Sequence, residues 1–488
     1  MNNFFFVILS ILAVFIATLY PFNFFLIDNF SIHTIITSFD NASSFQDLVN
    51  NILLFMPLGF SSTAFLQKIK IKTISKLFIV VFISAGLSLT VEMLQIFLPS
   101  RSPTPADLIN NTIGGIVGMI CFYIWHSQSF IYILSSLENS NIKNSVKKIT
   151  LLFFGYILLS FLISIPWQST INLSNWNLNY SLLLGNEETG DKPWHGYISE
   201  VHIADKAIST KDVLELFDHK SYLKTIGDYL IGSYQLTNKL SYQDSTGKLP
   251  ELLSQGQSPK IQNKKGVVLS SSHWLKTKTP ATLLSKRIRQ TSQFTIITTV
   301  ATADTTQTGP GRIISLSSNT LHRNFTLGQQ GKDLDLRVRT PITGENGAEM
   351  KLSIPGIFAT NNFHSLIITY SPGTLKVYVD NVQNLSSFNL LELIPKYQRI
   401  FYYALTFIPL GICLTFLTIL AKRKLSFYKF LVSSGIILPA LIVETILVIN
   451  TGKSIDIANI LLGIFFTGIT MLLLRLRAAF LVKKAVIE

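Results

Sequence analysis

The chain has 488 residues, of which 48% are hydrophobic and 14% charged, and a formal net charge of +14. A soluble domain carries about 25% charged residues, so the shortfall, together with several long apolar runs, excludes an ordinary soluble protein and gives an integral membrane protein. Much of the Lys and Arg sits beside the apolar runs, in the positive-inside pattern, so no nucleic-acid partner is expected and the lipid bilayer is.

The first apolar run covers 3–25. It lacks a basic leading region and a small-residue cleavage site, which predicts an anchor rather than a removed signal peptide. The second, 51–66, contains FMPLGF and is less apolar, as a helix inside a bundle can be. A basic loop with Lys68, Lys70, Lys72 and Lys76 leads to runs over 77–98 and 108–125. A polar segment with Lys143, Lys147 and Lys148 precedes the fifth run, 149–165.

Between 167 and 397 no stretch reaches the roughly 20 apolar residues of a spanning helix. Short alternating or β-branched runs replace them: FTIITTV from Phe294, LDLRVRT from Leu334, SLIITYS from Ser365 and LKVYVDN from Leu375. The last two flank Pro372 and Gly373, which predicts a hairpin. An all-β sandwich or jelly roll is expected. Three further apolar runs, 401–420, 427–449 and 457–474, close the chain, with AKRKLSFYK between the first two.

The expected fold is therefore a multi-pass α-helical membrane protein of about eight spans with an inserted all-β domain. Its divisions are 1–166, 167–397 and 398–488. Placing every basic loop in the cytoplasm puts both termini there and 167–397 outside the plasma (inner) membrane. Cys121 and Cys413 lie in apolar runs and imply no disulfide framework. His202, His273 and His364 show no ligand spacing, so neither metal nor cofactor is expected.

The polar residues concentrate in 91–118, VEMLQIFLPSRSPTPADLINNTIGGIVG. Glu92 and Gln95 share one helix face, as do Asp107, Asn111, Gly114 and Gly118. Ionisable groups at membrane helix ends are costly unless paired or hydrated. Glu92 and Asp107 are thus candidates for chemistry, and Asn51, Gln95, Arg101, Asn110 and Asn111 for binding, in one outward-opening site. Structural readings stand beside these: Glu92 satisfied by a neighbouring helix, Asp107 as a helix cap, the glycines as points of close packing.

FMPLGF from Phe55 recurs as FIPLGI from Phe407, and Pro57 precedes Glu92 as Pro409 precedes Glu444, by 35 positions. Asp107, Asn110 and Gly114 have the spacing of Asp456, Asn459 and Gly463, if the loop before them is three residues shorter in the second copy. Glu444, Asp456 and Asn459 are then the second-copy counterparts. Leu447 and Ile460 replace Gln95 and Asn111, and only Lys453 lies near the place of Arg101. Two parallel halves are expected, the first keeping more of the chemistry.

The segments NILLFMPLGF, EMLQ and RSPTPADLINNTIGG resemble the VanZ-like membrane proteins over 48–120, and weakly over 401–470. The matching positions are Asn51, Pro57, Gly59, Glu92, Gln95, Arg101, Asp107, Asn111 and Gly114. An acidic residue common in that family midway between the Arg and Asp is Thr104 here. The family is named for a member associated with teicoplanin resistance, so the resemblance implies an envelope role, including glycopeptide tolerance, and no defined reaction. PWHGYISEVHIADKAIST from Pro193, followed by KDVLELF, resembles the closing segment of laminin-G-like, concanavalin-A-like jelly rolls. Here it precedes the strands it normally follows, which implies a circularly permuted domain that binds glycan or protein.

The functional expectation is an envelope protein whose outer-leaflet site takes a polar or phosphate-bearing component, such as an envelope glycan or lipid-linked head group. A transporter or flippase and a membrane-anchored adhesion protein are the alternatives. Whether there is catalysis stays open.

Overall fold

The computed structural model describes residues 3–25, 45–98, 103–139, 145–219, 222–237, 242–257, 261–262, 266–421 and 427–487. The chain divides into two compact units. One combines Met1–Pro166, Pro395–Ile446 and Ile455–Glu488; the other combines Trp167–Ile394 with Leu447–Ser454.

The first unit is helical. Its helices are α1 (Asn3–Leu19), α2 (Phe45–Leu66), α3 (Thr73–Gln95), α4 (Pro105–Trp125), α5 (Ser127–Glu138), α6 (Val146–Ser169), α7 (Lys396–Leu420), α8 (Tyr428–Thr451) and α9 (Ile457–Ile487), the ends of α6 and α8 belonging to the other unit. Seven of them, all but α1 and α5, are long and apolar enough to cross a membrane, so this is a membrane protein. A 23-residue helix such as α3 reaches about 35 Å, enough for a hydrocarbon core of about 30 Å. Helix α1 is apolar but has 17 residues, at the short limit of a span. Helix α5 was not foreseen in the sequence. Its 12 residues are too few to cross, and Phe130 and Leu134 bury against Leu474 and Leu481 of α9.

Helices α2 and α4 meet backbone to backbone. A Cβ on Gly59 would strike the Gly115 carbonyl, and one on Gly118 would strike that of Met56. Small residues allow this approach where no hydrophobic drive exists between helices in lipid.

The second unit is an antiparallel β-sandwich. One sheet runs Leu352–Ile354, Asp333–Val338, Arg323–Gln330, Gly311–Ser317, Ser181–Leu184, His273–Thr277, Leu252–Gly256. The other runs Asn381–Asn389, Thr374–Val379, His364–Ser371, Phe294–Thr302, Gly196–Ala204, Gly266–Leu269, Ile261–Gln262, with Leu230–Gln235 also on Gly196–Ala204. Phe294 of the second sheet meets Phe325 of the first at 5.4 Å and stacks on Tyr370 at 5.5 Å, marking the shared core. The hairpin expected at Pro372 and Gly373 forms, with Ser371 opposite Thr374 and Gly373 at φ 86°, a left-handed conformation suited to glycine. The helix Thr210–His219 begins on a reciprocal cap: Asp212 N–H donates to Ser209 Oγ at 3.2 Å, and Ser209 N–H to Asp212 Oδ2 at 2.9 Å. Trp194 is fully buried and donates to Gln329 at 2.8 Å, so it is no sugar platform.

Candidate functional site

The polar residues of the first unit gather where α3 ends and α4 begins. Thr104 is the N-cap of α4, with Pro105 in the first turn. The Thr104 hydroxyl accepts from Asp107 N–H at 3.2 Å. The Thr104 N–H donates to the Glu92 carboxylate at 2.9 Å. Glu92, 2% exposed, therefore ties the end of α3 to the start of α4. One turn on, Asn51 of α2 donates to Asp107 Oδ1 at 2.7 Å. Asp47 of α2 stands close enough to Asp107 to repel its charge. Asn111 donates to the Ser88 hydroxyl of α3 at 2.9 Å, and its carbonyl oxygen is buried without a partner among the described residues.

The structure thus brings Glu92, Asp107, Asn51 and Asn111 to one junction of α2, α3 and α4. Gln95 turns elsewhere, donating to the Thr18 carbonyl of α1 at 3.3 Å. Asn110 is buried beside Asn111 on α4. Arg101 lies outside the described residues, as do Lys143, Lys422, Arg423 and Lys424 of the basic segments. Among the described residues neither Glu92 nor Asp107 has an ion-pair partner.

The second set sits at the junction of α7, α8 and α9. Glu444, 3% exposed, accepts from Asp456 N–H at 2.9 Å, twelve positions on, as Glu92 accepts from Thr104 twelve positions on. Asn459 and the Tyr403 hydroxyl lie 3.5 Å from Glu444 Oε2. Arg399 pairs with Asp456 at 2.8 Å.

These two contacts are related by one constant shift in sequence number, which differs from the spacing with a three-residue gap expected from the sequence. Glu92 to Glu444 and Thr104 to Asp456 are both shifts of 352 positions, so the loop has the same length in both places and no gap is needed. At that shift Thr104, rather than Asp107, falls on Asp456. Asp107 corresponds to Asn459, Asn110 to Leu462, Asn111 to Gly463 and Gly114 to Phe466. Asn51 corresponds to Tyr403, Ser88 to Ala440 and Asp47 to Arg399. Packing follows the same shift. Gly59 meets the Gly115 carbonyl and Gly411 the Thr467 carbonyl, while Gly463 lies against Ala440 where Asn111 bonds Ser88. Tyr403, Arg399, Asp47 and Ser88 were missed in the sequence. Extending the Glu92–Glu444 spacing without a gap from Asn51 would have found Tyr403.

In the sandwich, a polar cavity of about 240 Å³ is lined by Asp191, His195, Asp304, Gln307 and their neighbours. Two hydrogen bonds from Thr306 hold Asp304 below the usual carboxylate range. Arg312 and Arg323 are fully buried, Arg312 3.3 Å from Glu187. Burial, with Arg312 and Arg337 nearby, lowers the Arg323 pKa to about 9. Among the described residues no group of three or more His, Cys, Asp or Glu could hold a metal.

No curated protein and no solved structure matches the chain. The model of the VanZ/LLP1 family matches residues 4–126, from α1 to the end of α4, so the N-terminal part of this membrane protein is VanZ-like.

Proposed function

We propose that the chain is a VanZ-like protein of the cell envelope, and that the junction of α2, α3 and α4 holds the polar head of an envelope component at the outer leaflet. One observation carries the reading: Glu92 and Asp107 have no ion-pair partner among the described residues, whereas Arg399 pairs with Asp456 in the other set. The first junction offers acceptors: two carboxylates and the Asn111 carbonyl oxygen. Such a site takes hydroxyl or ammonium donors of a sugar or lipid-linked head group. Arg101 is the proposed cation for a phosphate in the same ligand.

The wider arrangement belongs to the same proposal. Helix α1 is the eighth span, and the basic loops put both termini in the cytoplasm and the sandwich outside the plasma (inner) membrane. The shift of 352 supports two parallel VanZ-like halves. The sandwich is a permuted laminin-G-like domain that binds glycan or protein, with the cavity at Asp191 and Asp304 as its polar cleft. No reaction is assigned.

The test is the material that co-purifies with the full chain. Mass spectrometry should find an envelope component on the wild type that Asp107→Asn loses. The same component at the same level on both would refute the site. A transporter is the second reading, favoured by the constant shift between the two sets. Flux of that component into sealed vesicles, lost equally in Glu92→Gln and Glu444→Gln, would establish it.

A further inference from the structure

Four lysines crowd the basic stretch before and within the first turn of α3. Lys68, Lys70 and Lys72 reach out and are exposed, as long charged side chains near membrane interfaces usually are. Lys76 does not; it is 6% exposed. Its ammonium donates to the Gln67 side-chain carbonyl at 2.9 Å. An ammonium has three donors and no acceptor, and Lys76 has no ion-pair partner among the described residues. A buried cation in a membrane helix is costly without a counter-charge.

Lys76 lines a cavity of about 600 Å³ among α3, α4, α5 and α7. Among the described residues no acidic side chain lines it. Its polar wall includes Gln67, Thr73 and Gln128, and its apolar wall Ile120, Ile124, Ile133 and Phe416. Ile120 and Ile124 are one turn apart on α4, so the apolar wall runs along that helix. A small hydrated anion would satisfy the first wall and waste the second; a neutral lipid would do the reverse. We infer that this cavity holds an anionic phospholipid, its phosphate on the Lys76 ammonium and an acyl chain along Ile120, Ile124 and Phe416. The exposed Lys68, Lys70 and Lys72 beside it favour an anionic surface on this side. The site lies at the opposite end of α3 from Glu92 and stands independently of the function proposed above.

The experiment uses the full chain, purified in mild detergent and exchanged into vesicles of phosphatidylcholine with a minor fraction of phosphatidylglycerol, then extracted for native mass spectrometry. The wild type should retain phosphatidylglycerol selectively. Lys76→Gln should weaken that retention about tenfold, the loss of one charge-assisted contact, while Lys76→Arg restores it and Lys72→Gln leaves it unchanged. Ile124→Trp, which keeps the cation and fills the chain path, should also release the lipid, and it serves if Lys76→Gln does not fold. Equal retention in Lys76→Gln and wild type, or in Ile124→Trp and wild type, overturns the inference. So does displacement of the lipid by inorganic phosphate alone, which would make this a site for a soluble anion.

Discussion

Glu92 and Glu444 are held alike and neighboured differently. Each is buried, and each accepts from the amide twelve positions on, at the start of the next long helix. A contact present in both places belongs to the architecture: it satisfies one of the orphan amides at a helix start and fixes the turn between two helices. What appears once is the better candidate for chemistry. Asp107, with Asn51 donating to it and Asp47 close by, faces no described cation, whereas the equivalent places hold Asn459, Tyr403 and Arg399. Asn111 and Ser88 form a buried polar pair where Gly463 and Ala440 simply touch. The difference shifts attention from the glutamate, the most conspicuous residue in the sequence, to the aspartate one turn into the next helix.

The largest effect should come from removing the packing common to both sets. Gly59→Leu drives a side chain into the Gly115 carbonyl, and Gly411→Leu does the same at Thr467. Each should destabilise by about 3 kcal/mol or more, the upper range of overpacking, seen as loss of monodisperse protein in gel filtration. A mild effect at Gly411 alone would break the equivalence. Next, Asp107→Asn installs the residue of the other set and keeps an acceptor for Asn51. Thermal stability should hold while the co-purifying component falls about tenfold, roughly 1.4 kcal/mol; a matching drop in melting temperature would make Asp107 a structural residue.

Glu92→Ala and Glu444→Ala should cost about the same as each other, roughly 1–2 kcal/mol, the range for losing a helix cap. Thermal unfolding of both variants in one detergent measures this, and a large inequality would return a special role to Glu92. The smallest effect is expected from Ser88→Ala, which copies Ala440. Polar contacts between membrane helices average about 0.6 kcal/mol, so its melting point should move little while the partnered Asn111 loosens.

Much of this was legible in the sequence, for identifiable reasons. Apolar runs of spanning length mark α3, α4 and α6 because lipid imposes length and composition together. The runs at Phe294 and Ser365 read as strands because their β-branched residues suit a pleated surface. The constant shift of 352 between the two carboxylate contacts went unread for an equally physical reason. Matching Asp107 to Asp456 and Asn110 to Asn459 rewards side-chain identity. The fold instead conserves a backbone amide donating to a carboxylate, a contact that Thr104 and Asp456 make equally well with their main chains. Helix α5 escaped because its 12 residues, though half of them apolar, are too few to mark a span and lie between polar residues.

The meeting of Gly59 with Gly115 has a consequence for how the protein answers its solvent. Two helices in contact through their main chains cannot tilt past one another without a clash, so α2 and α4 respond to a thinner or thicker bilayer as one post. Hydrophobic mismatch is relieved by tilt, kinking or local deformation of the lipid at modest cost. That adjustment falls to helices such as α6, whose sides are largely exposed. The distance between Asn51 and Asp107, which bridges the same two helices, is thereby insulated from the composition of the membrane around it.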